Sequence, residues 1–282
     1  MKPGGQPMAD EYFVRPDLLG EVQPEQLLPW ARKIAQHAEP AQIYRDKEGR
    51  KTLRFRAIER SFFLKLHSGI GWREVFKNLL QLRMPVTDAG NEYRAIGKLE
   101  ALGVDTMSVA AYARVGHNPA RVQSLLVTDD LVGTVSLEDF CANWSSVAPA
   151  PVLRWRIIRT LAAMSRAMHG AGVNHRDYYL CHFHLDPASV QQAKLRCHLI
   201  DLHRAQIRKA VPRRWRVKDL AGLYFSAMDC GISRRDLLRF MHAYSGEGLR
   251  DTLRSQRQLW TAVQQRALKL YRQEHGREPP AL

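Results

Sequence analysis

The stretch that most constrains the fold is a change of period followed by an acidic loop. Val152, Leu153, Ile157, Ile158, Leu161, Ala162, Met164 and Met168 recur at helical spacing up to Gly170. The polar run NHRDYYLCHF breaks that pattern at 174–183, and two short extended runs near 183–186 and 195–200 follow around a polar turn. The second run ends in the step Leu199-Ile200-Asp201. A long helix, a loop carrying Asp177 and a hairpin ending in Asp201 thus follow one another within about fifty residues.

The segments around this core read in a definite order. Residues 42–67 give three extended segments, IYRD, TLRFRAI and SFFLKLH, separated by KEGRK and ER. Helical spacing returns in WREVFKNLLQL and EYRAIGKLEALG, followed by two strand-like runs, VDTMSVAAYA and SLLVTDDL. Beyond Asp130 the chain turns mainly helical, with Ser136 and Asp139 as a capping-box start and further helices expected near 218–229, 234–245 and 250–274. Strands first and helices after is the α+β pattern. A chain of 282 residues suits two lobes. The expected division is an N-terminal extension over 1–40 with a helix near 24–37, a small antiparallel-sheet lobe over 41–130 and a mainly helical lobe over 131–282.

Charge narrows the partners. Lys and Arg number 43 against 28 acids, a net charge of +15, so the surface should attract polyanions. Trp215 among arginines invites a nucleic-acid reading, but no recognised module accompanies it, so nucleic acid is not the expected partner. The same surplus admits an acidic protein partner. Four scattered cysteines without a C-x-x-C pair suggest reduced thiols in a cytosol. No apolar run reaches the ~18 residues that would span a bilayer, so membrane contact should be peripheral.

Two carboxylates from adjacent loops suit phosphoryl transfer, which depends on positioning and on cations around the phosphate oxygens. In protein-kinase-like folds, an Asp in the HRD loop orients the acceptor hydroxyl and takes its proton. The expected two-lobed fold therefore gives Asp177 that role and puts Mg²⁺ on Asp201. His182 stands where such folds carry the second metal contact. Lys65, in an apolar strand, and Glu92, opening the next helix, should pair and hold the ATP phosphates. No GxGxxG lies between the first strands, so Gly49 and Lys51 are the candidates for covering the phosphates, and the backbone from Thr128 to Asp130 should meet the adenine. Asp219, in KDLAGLYFS, should brace the catalytic loop.

The motifs NHRDYYLCHF, LIDLHRAQIR followed by PRRWRVKDL, GRKTLRFR, KNLLQLRMPV and LGVDTM resemble the lipopolysaccharide core heptose kinases of Gram-negative bacteria, from about residue 43 to 250. The resemblance implies a kinase-like fold and transfer of the ATP γ-phosphate to a heptose of the inner core. It also implies a site on the cytoplasmic face of the inner membrane, and it matches Asp177 to the family's catalytic Asp. Tyr178 departs from the family's usual Cys and is expected beside the acceptor. Arg204, Arg208, Arg213, Arg214 and Arg216 follow the metal Asp and are expected to receive the anionic glycolipid. The alternatives are a kinase acting on another core sugar or position, or a basic nucleic-acid-binding or scaffold protein without catalysis.

Overall fold

The computed structural model describes residues 10–47, 49–69, 71, 72, 76 and 88–281. The helix expected over 72–82 falls, apart from Trp72 and Phe76, outside the described residues. The chain divides into two compact units, one of residues 1–96 and 107–132, the other of 97–106 and 133–282.

The first unit is built on a six-stranded antiparallel sheet. Its strands are β1 (Glu11–Val14), β2 (Ile43–Lys47), β3 (Arg50–Ala57), β4 (Arg60–His67), β5 (Val109–Val115) and β6 (Gln123–Asp129), in the order β1-β5-β6-β4-β3-β2. The period-2 alternation sends Leu53, Phe55, Phe62, Leu64 and Leu66 to one face. There they pack with Leu27, Leu28, Ala31 and Ala35 of helix α1 (Leu27–His37). Each such fully buried Leu or Phe contributes about 1.5–3 kcal/mol relative to exposure. Residues 11–37, expected as an extension, thus supply an edge strand and a covering helix to the sheet. Arg15 fastens β1 to the end of β6 through both oxygens of Asp129, at 2.8 and 2.9 Å.

The helix α2 (Gly90–Ala101) begins in this unit and ends in the second. The second unit holds α3 (Leu137–Cys141), α4 (Pro151–Gly170), α5 (Arg213–Ala227), α6 (Arg234–Ser245), α7 (Leu249–Ser255) and α8 (Arg257–His275). Ser136 caps α3 by accepting the Asp139 N–H. Pro151 opens α4, where its missing N–H costs nothing. Leu220 and Ala221 of α5 share a core with Leu259, Trp260, Val263, Ala267 and Tyr271. The helix expected over 250–274 is divided at Gln256, which leaves α-helical geometry between α7 and α8.

Short strands position the two aspartates. β8 (Val173–Asn174) pairs with β11 (Gln206–Ile207), and β9 (Phe183–Leu185) lies between β10 (Cys197–Leu199) and β7 (Val135–Ser136). Asp177 lies between β8 and β9 and Asp201 between β10 and β11, so the same two pairings anchor both loops. At the foot of the β8–β11 ribbon Gly172 has φ +81, and a Cβ there would sit 1.8 Å from the Arg208 carbonyl oxygen. Glycine alone allows that approach.

Candidate active site

The loop that carries Asp177 is held by α5. Asp219, fully buried, accepts the backbone N–H of His175 at 2.7 Å and of Arg176 at 2.8 Å, with His169 Nε2 at 3.3 Å. Charge-assisted bonds of this kind satisfy a carboxylate that would otherwise be costly to bury. They also hold Arg176 at φ +80, a left-handed conformation rare for a non-glycine residue. The brace expected of Asp219 is present.

His175 and His182 tie the loop to Asp201. Burial lowers the His175 pKa. The neutral ring donates from Nε2 to the Ile200 carbonyl (2.9 Å) and accepts the Asp177 N–H at Nδ1 (3.3 Å). His182 donates from Nδ1 to the Asp177 carbonyl at 2.6 Å, and its Nε2 faces Asp201 Oδ2 at 3.6 Å. Burial alone would lower the His182 pKa. The Cys181 side chain, the Asp177 carbonyl and Asp201 outweigh it and raise the value to about 9. The other Asp201 oxygen meets His203 Nδ1 at 2.6 Å, and Asp201 itself is left-handed, with φ 61, a region that Asp enters more readily than most residues.

This donor set fits Mg²⁺ in one respect. The ion is held through one or two carboxylates, with phosphates and water completing its shell, and Asp201 supplies such a carboxylate. Imidazole suits softer metals, so His182 and His203 fit better as groups that orient Asp201. Among the described residues no cluster of three or more His, Cys, Asp and Glu makes a complete protein cage.

Asp177 is crowded by cations. Arg204 Nη1 reaches both carboxylate oxygens, at 2.9 and 3.0 Å, and Lys218 Nζ lies 3.9 Å from Oδ1. Arg176, Arg208, Arg214 and Lys218 all stand over the Trp215 ring, 5.1 to 5.8 Å from its centroid. Burial and then neighbouring positive charge lower the pKa of Arg176 and of Lys218. Arg208 is held by Asn174 Oδ1 at 2.6 Å and Gln206 Oε1 at 2.7 Å.

The expected basic patch does not stay together. Arg213 donates to the Gln258 carbonyl at 2.7 Å, on α8, and Arg216 lies against the Tyr244 hydroxyl. These two belong to the helical packing, because positions 213, 216, 217 and 220 share the α5 face that meets α8, whereas 214 and 218 share another. Tyr178, expected beside the acceptor, is instead 1% exposed, with its hydroxyl 2.8 Å from Ser165 Oγ.

In the first unit Lys65 Nζ donates to Glu92 Oε1 at 2.6 Å, and Glu92 is 1% exposed. The expected pair is formed. Lys51 is not on the Lys65 face. Thr52 is the register partner of Lys65, so Lys51 lies on the opposite side of the sheet, where it donates to the Ala35 carbonyl of α1 at 3.0 Å and pairs with Asp46 at 3.4 Å. Gly49, at φ +70, lies between β2 and β3, its carbonyl accepting the Ser68 N–H. Thr128 sits within β6 between β4 and β5. The N–H groups of Asp129 and Asp130 are taken by the Ser108 and Ser61 carbonyls, so neither serves a base.

Comparison with known proteins agrees with this chemistry. The profile described as "Lipopolysaccharide kinase (Kdo/WaaP) family" matches residues 35–244. The lipopolysaccharide core heptose(I) kinase WaaP of Escherichia coli is 46% identical over 230 residues, covering 81% of this chain and 87% of that protein. The protein of the same name from Pseudomonas aeruginosa is 47% identical over 239 residues, covering 83% and 88%. A solved structure, "WaaP in complex with acyl carrier protein", superposes with a TM-score of 0.74 at 37% identity, covering 93% of this chain and 99% of that one. The fold is thus α+β and that of the solved WaaP structure. With the profile matched from the end of α1 to the end of α6, and nearly half of the aligned residues shared with two such kinases, the chain belongs to the lipopolysaccharide kinase (Kdo/WaaP) family.

Proposed function

We propose that this protein is an ATP-dependent kinase that phosphorylates a heptose hydroxyl of the lipopolysaccharide inner core. The observation that carries the reading is the link between the two acidic loops: His182 bonds the Asp177 carbonyl and faces the Asp201 carboxylate. Asp177 orients the acceptor hydroxyl and takes its proton. The hydroxyl oxygen forms a bond to the γ-phosphorus as the bond to the β,γ-bridging oxygen breaks, and ADP leaves. Asp201, oriented by His182 and His203, would hold Mg²⁺, which neutralises phosphate charge when bound. Lys65, fixed by Glu92, pairs with the nucleotide phosphates, and Gly49 gives the neighbouring turn the freedom to approach them. Arg204, Arg208 and Arg214 remain as the acceptor-binding arginines.

The substrate sets the location. A glycolipid acceptor calls for work at the cytoplasmic face of the inner membrane, and no helix among the described residues is long and apolar enough to cross it. The surplus of 43 basic over 28 acidic residues also suits an acidic partner of the acyl-carrier class found with the solved relative. The helical unit holds an apolar cavity of about 500 Å³, lined by Ile157, Leu220, Leu237, Met241 and Trp260, with the size and polarity to take an aliphatic chain.

Mass spectrometry of core oligosaccharide from cells with and without the gene tests the reading. Loss of one phosphoryl group from a heptose on deletion, restored by the wild-type gene, is the expected result. An unchanged phosphorylation pattern would reject it.

A further inference from the structure

Lys218 has a cost that its contacts do not explain. It is half-buried on α5, beside the brace Asp219, with its ammonium over Trp215 and 3.9 Å from Asp177. The Asp177 carboxylate already has a closer partner, because Arg204 spans both of its oxygens. Arg176 and Arg208 lie over the same indole. The acids facing this group are Asp177 and Asp219, and Asp219 is committed to the loop N–H groups. A desolvated cation among like charges is unfavourable until an anion arrives.

The place where an anion would arrive follows from the reaction. The hydroxyl oriented by Asp177 is the atom that takes the phosphoryl group, so the oxygens of that group pass within a few ångströms of the carboxylate. Donors fixed in advance where charge develops give a large share of catalysis in such sites. The HRD loop itself, reading Asp177-Tyr178-Tyr179-Leu180, carries no cation immediately after its Asp. We infer that Lys218 is a catalytic residue whose ammonium contacts a non-bridging oxygen of the phosphoryl group in transfer. This rests on the kinase reading and adds to it the source of the protein's positive charge at the transferred group. Asp219 and Lys218, one residue apart on α5, then brace the loop and charge it.

The test uses the full chain with purified core lipopolysaccharide as acceptor. Lys218→Gln should lower kcat about 100-fold, the loss typical of removing one such donor, with the KM for ATP nearly unchanged. Lys218→Arg should recover most of that loss. The decisive readout compares ATP with ATPγS, which carries sulfur on the transferred group. If Lys218 touches that group, the ratio of the two rates changes severalfold in Lys218→Gln. A purely structural lysine would slow both nucleotides equally, and that outcome overturns the inference. Thermal unfolding and Mg·ADP binding by Lys218→Gln, expected to match wild type, separate misfolding from lost chemistry. Wild-type protein that fails to phosphorylate the acceptor would sink the kinase reading itself; an active wild type with an unaffected Lys218→Gln sinks only this inference.

Discussion

Two charged clusters of this protein, one in each unit, are built on opposite principles. In the sheet unit one ammonium meets one carboxylate: Lys65 and Glu92, 2.6 Å apart, with side chains 20% and 2% exposed. In the helical unit Asp177 is faced by Arg204 and Lys218, with Arg176, Arg208 and Arg214 close behind around Trp215. The first is a balanced pair of opposite charges, largely buried. The second carries more positive than negative charge, a surplus that an incoming anion would offset. A nucleotide that must always bind in one pose suits the balanced pair, and a phosphoryl group that appears transiently suits the surplus.

Breaking the balanced pair should give the larger effect. Lys65→Met leaves Glu92 buried without its cation, and removing one partner of a buried pair costs about 3–5 kcal/mol. The same substitution should cut kcat/KM for ATP on the order of 100-fold. The double variant Lys65→Met/Glu92→Leu sharpens the point: calorimetry should show most of the stability restored while activity stays low. Recovery of activity along with stability would mean that the pair is only structural.

Removing an exposed cation from the rim of the surplus cluster should do less. Arg214→Gln removes one exposed cation worth about 1 kcal/mol toward an anionic acceptor, so the glycolipid KM should rise roughly fivefold with the ATP KM unchanged. Arg213→Gln, one residue away but turned toward α8, is the control and should move neither constant. Equal responses from the two arginines would show that α5 does not divide its faces as described.

These contrasts also show what the sequence could yield. The HRD loop, the Leu199-Ile200-Asp201 step and the Lys65–Glu92 pair were legible because their chemistry sits in short contiguous stretches between elements of clear period. Asp219 was legible for the same reason. Lys51 was misplaced although its strand held the correction, since Lys51, Leu53 and Phe55 share one parity and therefore the face covered by α1. Likewise Arg213 and Arg216 share helical spacing with Leu220, whereas Arg214 and Lys218 do not. Reading the basic run as one patch ignored that wheel. The place of β1 was beyond local reading, because a four-residue strand is defined by its pairing with β5 about a hundred positions away. The break at Gln256 has no Gly or Pro to announce it.

The central claim is that Asp177 handles the acceptor's proton in transfer from ATP, and turnover of Asp177→Asn on purified core lipopolysaccharide tests it most directly. With γ-labelled ATP the account predicts a fall in kcat of at least 100-fold, as expected when a catalytic base is lost, while ATP affinity measured by calorimetry stays close to wild type. Label entering the glycolipid at an undiminished rate would contradict it.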